Sequence, residues 1–83
     1  MAIITQATRE IAHFLVQAPT PEQIIALHPS AEVAARAYAL IAAERNNTIS
    51  DKERDELDSY ELLEHFVRIM KAEARELLLQ RAS

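Results

Sequence analysis

The sequence predicts an all-α fold, a small helical bundle built on an antiparallel hairpin with one long C-terminal helix. The chain has 83 residues, no glycine and only three prolines, at positions 19, 21 and 29. The whole C-terminal half is therefore free of helix breakers and rich in strong helix formers. Apolar residues recur at spacings of three and four, which is the helical period. At this length we expect a single domain, residues 1–83.

The first helix is predicted over about residues 5–17. Its apolar residues recur at helical spacing and fall on one face, made of Ile4, Ala7, Ile11, Phe14 and Leu15. The helix should end near Ala18, because Pro19 disfavours helical geometry in the residue before it.

A second, short helix is predicted over about residues 21–27. Thr20 can act as its N-cap, Pro21 suits the first helical position, and Gln23 can complete a capping box. Two helical turns are unstable in isolation, so this helix has to pack against the rest of the chain.

A third helix is predicted over about residues 31–45, capped at its start by Ser30. It is rich in alanine, which allows another helix to approach closely. Asn46 and Asn47 end it, since asparagine tolerates the left-handed conformation of a helix C-cap. The loop that follows is short, so the third and fourth helices should form an antiparallel hairpin.

The fourth helix is predicted over about residues 51–81, beginning with a capping box between Ser50 and Glu53. A helix of that length is roughly 45 Å long. Its apolar seam steps by three and four, and a flank widens the seam into a broad stripe typical of a bundle helix. The seam comprises Tyr60, Leu63, Val67, Met70, Ala74 and Leu77, and the flank comprises Leu62, Phe66 and Ile69.

The third helix, about 23 Å long, can cover the fourth helix only from about Leu57 to Val67. The rest of the apolar face has to be covered by the first two helices or by another chain. We therefore predict a partner or dimer interface made of Phe66, Met70, Ala74, Leu77 and Leu78. The fourth helix is acidic in its first half and basic in its second, so two antiparallel copies would match charge, and we expect a homodimer.

Composition excludes several kinds of chemistry. Without glycine, the chain cannot form the phosphate-binding loop, the dinucleotide-binding turn or the hydrolase nucleophile elbow. Without cysteine, it has no disulfide framework and no thiolate metal site. We predict no catalytic residues and no cofactor, and so not an enzyme.

One weaker alternative is a metal-dependent helical enzyme. Glu61 and His65 are four residues apart on the fourth helix, with Glu64 adjacent to His65. A carboxylate and an imidazole at that spacing can bind one metal ion. No second pair has matching spacing, so we expect a solvated pair at the edge of the apolar stripe.

Charge and hydropathy indicate the class of partner. The net charge is −4, which argues against a nucleic-acid partner, since that requires a basic patch. An acidic surface for a basic protein partner is offered by Asp51, Asp55 and Asp58.

The N-terminus lacks the charged region of a signal peptide, and no apolar run is long enough to span a membrane. We expect a cytoplasmic protein.

Residues 19–30 and 42–75 resemble a family of small uncharacterised bacterial helical-hairpin proteins common in cyanobacteria. The family pattern includes a Pro-Ser helix start, "E-L-D-x-Y" and "L-E-H-L-x-R-L-L-K-A-R-A". The matching positions are Pro29, Ser30, Glu56, Leu57, Asp58, Tyr60, Leu63, Glu64, His65, Val67, Arg68, Lys71, Ala72 and Arg75. The loop glycine usual in the family is Asn47 here. The resemblance implies an antitoxin-like or accessory protein encoded beside nuclease or toxin genes, and it brings no catalytic residues.

We therefore expect a non-catalytic helical protein–protein interaction module that binds a partner such as a toxin nuclease. A purely structural subunit that only oligomerises is the alternative from another class.

Overall fold

The computed structural model describes residues 4–82, and this part of the chain is all-α, as predicted. It forms α1 (Gln6–Val16), α2 (Pro21–Ile25), α3 (Ala31–Arg45) and α4 (Asp51–Ala82). The 32 residues of α4 correspond to about 48 Å of helix, which is close to the molecule's longest dimension of 51 Å. The other three helices pack along this one long helix.

The hairpin between α3 and α4 forms as the sequence predicts. Asn47 adopts the left-handed conformation with φ 56°, and the amide of Thr48 donates to the carbonyl of Ala43 at 2.9 Å. At the start of α4, the Glu53 amide donates to the Ser50 hydroxyl at 3.1 Å, and the Ser50 amide donates to the Glu53 carboxylate at 2.9 Å. This capping box satisfies amides that the first turn would otherwise leave unpaired.

The interior of the hairpin is small and aliphatic. Leu40 is fully buried and Leu57 is 2 % exposed, and Val33 is buried with them. Outside this core, Arg54 and Glu44 form a second link between the helices, with Nη1 and Oε2 3.3 Å apart. The short loop and these contacts fix α3 against the first half of α4.

The second half of α4 is covered mainly by α2. This helix has the predicted capping box, in which the Gln23 amide donates to Thr20 Oγ1 at 3.2 Å and the Thr20 amide donates to Gln23 Oε1 at 2.8 Å. It ends at Ile25, two residues earlier than predicted. Although short, α2 packs against α4 more extensively than α1 or α3 does. The chain therefore covers part of this half itself, and Ala74 is buried there.

The first helix begins one residue later than predicted, at Gln6, and Thr5 is its buried N-cap. Ala7 is buried, but Ile4 is 70 % exposed, so the predicted apolar face is wrong at Ile4, which lies before the helix. The hydroxyl of Ser30 donates to Glu10 at 2.8 Å, and the amide group of Gln6 donates to Glu32 at 3.0 Å. These bonds fix α1 against the start of α3.

Candidate functional site

Two concave surfaces flank α4 on different sides. We call the first the groove. It is an open depression of about 540 Å³ between α2 and the second half of α4, lined by Pro21, Ile24, Phe66, Ile69, Met70, Glu73, Ala74, Glu76, Leu77 and Gln80. The second, described below, is the cleft.

The groove exposes large apolar side chains. Phe66 is 46 % exposed, Ile69 49 % and Leu77 42 %. Leu62, 71 % exposed, lies about one turn before Phe66 and extends the same stripe. A contiguous exposed apolar patch of this kind is a candidate interaction surface.

The predicted interface residues divide between this surface and the interior. Phe66 and Leu77 are exposed in the groove, whereas Met70 and Leu78 are half-buried. Ala74 is only 5 % exposed. The prediction placed Ala74 in an intermolecular contact, but α2 of the same chain covers this part of the helix, so Ala74 belongs to the core.

The charged residues that line the groove are acidic. Glu73 and Glu76 line the groove, and its lining contains no lysine or arginine among the described residues. Asp55 lies about three helical turns before Phe66, and Asp58 about three turns before Ile69, so both share that side. Both are exposed, as is Asp51. The predicted acidic face and the apolar stripe thus form one continuous surface.

Three basic residues in the second half of α4 lie on the other side. Arg68 and Lys71 line the cleft rather than the groove, and Arg75 follows Lys71 at one helical turn. The antiparallel charge match expected for two copies required these residues to face the partner. Arg68, Lys71 and Arg75 are therefore absent from the groove lining, and the antiparallel homodimer stays a prediction.

The cleft is a cavity of about 390 Å³ between α1, α3, α4 and the segment that joins α2 to α3. Its walls are mostly aliphatic, with polar groups around them. It is lined by Ala7, Glu10, Ile11, Leu27, His28, Pro29, Val33, Ala34, Ala37, Tyr60, Leu63, Glu64, Val67, Arg68 and Lys71. A volume above about 300 Å³ with apolar walls and few polar groups is typical of small-molecule sites.

Most charged groups of the cleft already have partners. Ser30 donates to the Glu10 carboxylate, and this hydrogen bond lowers the pKa of Glu10. Arg68 donates to Glu64 at 2.7 Å. Burial raises the pKa of the Tyr60 hydroxyl above its usual value of 10.0. Lys71 is half-buried and, within residues 4–82, has no ion-pair partner.

The metal-dependent alternative receives no support from the geometry. Glu61, Glu64 and His65 are all exposed, and Glu64 is paired with Arg68. In the described part of the chain, no three His, Cys, Asp or Glu side chains converge on a point suited to a metal ion.

None of the described helices is long and apolar enough to cross a membrane.

Sequence reasoning missed the cleft. The sequence places Lys71 only in the basic second half of the fourth helix and Tyr60 in its apolar seam, because periodicity assigns a residue to a face without showing which helices meet there. The only available signal was that Tyr60, Leu63, Val67 and Lys71 recur at spacings of three and four, which gives them one face.

Comparison of this chain with protein-family models, curated proteins and solved structures gives no match. Its function is therefore argued from the groove and the cleft themselves.

Proposed function

We propose that this chain is a non-catalytic protein–protein interaction module whose groove binds a basic, apolar-faced helix of another protein. The observation that carries the proposal is the combination of exposed Phe66, Ile69 and Leu77 with a lining whose only charged groups are Glu73 and Glu76. Apolar anchors provide affinity, and a single sign of charge selects the partner and its orientation.

The shape of the groove suits a helix. The exposed stripe from Leu62 to Leu77 covers about 22 Å of α4, or roughly four turns of a partner helix lying alongside. Helix-in-groove recognition uses apolar anchors at spacings of three, four and seven residues. The partner segment would therefore present leucine-like residues at those spacings, flanked by lysine or arginine that meets the acidic side of α4.

A second copy of the chain is a poorer occupant. Pairing two groove surfaces would bring the Glu73 and Glu76 carboxylates of the two copies toward each other, with no basic residue in the described groove lining to separate them. Like charges brought together across an interface are costly. We therefore assign the groove to a different protein, and we expect the isolated chain to sediment as a monomer at tens of micromolar.

The finer form of the proposal follows from the family resemblance. A toxin nuclease carries a basic surface for its nucleic-acid substrate, and an acidic helical surface could cover it. We propose that the chain acts in the cytoplasm as an antitoxin-like protein for the product of an adjacent gene. Co-expression with that product should restore growth, and a Phe66→Glu variant should fail to do so.

A direct binding experiment tests whether the groove binds a basic, apolar-faced helix. The probe is a synthetic helical peptide with leucines at helical spacing and flanking lysines, and binding is followed by fluorescence anisotropy. Phe66→Glu places a charge among the apolar anchors, so we expect its affinity to fall at least tenfold, equivalent to about 1.4 kcal/mol. Tyr38→Glu is the matched control, because Tyr38 is an aromatic residue that is 74 % exposed on α3, away from the groove.

Equal loss of affinity in both variants, or none in either, would exclude the groove as the binding surface. Sedimentation of the chain alone distinguishes this proposal from the alternative of a purely structural subunit. A large assembly formed without any partner would favour the structural subunit.

A further inference from the structure

The cleft on the other side of α4 combines apolar walls with one cation, Lys71, that has no ion-pair partner within the described chain. Its formal charges cancel, with Glu10 and Glu64 opposite Arg68 and Lys71. Which of these charges can bind a ligand depends on which of them already have a partner within the chain. Glu64 is bound to Arg68, and the carboxylate of Glu10 accepts hydrogen bonds from Ser30 and Gln6.

The ammonium of Lys71 is therefore the cation that remains available. Arg68 precedes it by three residues and Arg75 follows it by four, so both neighbours on this face of α4 are also cations. No carboxylate of the described chain is paired with any of Lys71's ammonium hydrogens. A half-buried lysine that has no ion-pair partner in the described chain favours an anion from outside the chain.

We propose that the cleft binds a small amphipathic carboxylate, with its head on Lys71 and its apolar tail between Ile11, Ala34 and Val67. The aliphatic walls bury the tail, and the ammonium bonds the head where the cleft opens to solvent. The volume of about 390 Å³ lies within the range of small-ligand sites. The absence of any basic run with interleaved aromatic residues makes a nucleic acid a poor occupant.

The site is independent of the proposed partner groove, since the residues that line the cleft and those that line the groove do not overlap. A ligand in the cleft would contact α1, α3 and α4 together. It would thus raise the free energy of unfolding by an amount that grows with the logarithm of its concentration above the dissociation constant.

Octanoate is the probe, and its binding is followed by two-dimensional amide NMR and by the thermal midpoint. We expect saturable shifts at the amides of cleft residues and a higher midpoint. Octan-1-ol is the matched neutral probe, and we expect it to bind more weakly because it lacks the charged head.

Three variants locate the site. Lys71→Met keeps an apolar stem without the charge, and we expect it to weaken octanoate binding about tenfold or more while leaving octan-1-ol binding unchanged. Ala34→Leu fills the cleft and should abolish binding of both probes. Lys52→Met, which removes a cation outside the cleft, should leave both unchanged. Circular dichroism confirms that each variant is folded.

Octanoate binding that is insensitive to Lys71→Met, or shifts confined to the groove residues, would overturn the proposal. So would an absence of saturable binding to the folded wild-type chain.

Discussion

The guanidinium of Arg36 donates two hydrogen bonds to the carboxylate of Glu56, 2.8 Å from Nε to Oε2 and 2.7 Å from Nη2 to Oε1. This bidentate pair joins the middle of α3 to the first half of α4. Its geometry is the strongest that an arginine and a carboxylate can adopt. The pair helps fix the register of the hairpin, and that register determines which residues of α4 face the cleft and which face the groove.

The same pair predicts a dependence of stability on pH. The hydrogen bonds from Arg36 lower the pKa of Glu56 below its usual value of 4.5. A carboxyl group whose pKa is lowered on folding contributes stability above its unfolded pKa, and this contribution is lost as the pH falls through the folded pKa. Both partners are partly exposed, so we expect Glu56→Gln to cost only about 0.5–1 kcal/mol at pH 7.

Urea unfolding at pH 7 and near pH 2 checks this. The difference in the free energy of unfolding between wild type and Glu56→Gln should shrink as the pH falls through the folded pKa of the Glu56 carboxyl. Asp55→Asn is the control, because the Asp55 carboxylate accepts no hydrogen bond within the described chain. If wild type and Glu56→Gln differed in their free energy of unfolding by the same amount at both pH values, the electrostatic explanation would be contradicted.

Ala74 provides a test of how α2 packs on α4. Because Ala74 is 5 % exposed, Ala74→Leu would force α2 away from α4, and we expect a loss of about 1–3 kcal/mol in the free energy of unfolding. Ala72→Leu is the matched control, since Ala72 is exposed on the same helix. If the two variants were equally stable, α2 would not be docked as described.

Leu40 is the most completely buried large side chain, with no exposed surface. Leu40→Ala should lower the free energy of unfolding by about 2–5 kcal/mol, because it removes buried methyl groups and leaves a cavity. Leu62→Ala makes the same change at a position that is 71 % exposed, and we expect a much smaller loss. Urea denaturation measures both, and equal losses would show that the core is not centred on Leu40.

Thr20 tests the capping box of α2. Thr20→Ala removes the hydroxyl that accepts from the Gln23 amide, and loss of such a cap costs about 0.5–2 kcal/mol. Because α2 has only five residues, we expect faster amide hydrogen exchange throughout α2 before the rest of the chain is affected. Uniform exchange across all four helices would show instead that α2 does not open separately.

The features that the sequence predicts well are local. The capping boxes at Thr20 and Ser50 and the left-handed Asn47 depend on residues a few positions apart, so residue type and spacing suffice to place them. The pairing of Arg36 with Glu56 and the burial of Ala74 depend on which helices meet, and periodicity does not contain that information. The exposed position of Ile4 likewise depends on where the first helix begins.

The charge pattern of α4 has a further feature that its order along the chain does not show. Counting the charges of α4 along its length gives an acidic half and a basic half, which suggested antiparallel pairing. The surface that a partner meets also depends on the angle around the axis. On the groove side, Glu73 and Glu76 stand in the half that is basic overall, while Lys71 faces the cleft.

The measurement that most directly tests the central claim is the charge preference of the groove. Two synthetic helical peptides share the same leucines, and one is flanked by lysines and the other by glutamates. Their affinities are measured for wild type and for a double variant, Glu73→Lys with Glu76→Lys. Wild type should prefer the lysine peptide and the variant the glutamate peptide, with both preferences weaker at high salt. An unchanged preference in the variant would contradict the assignment of the groove as an acidic site for a basic partner.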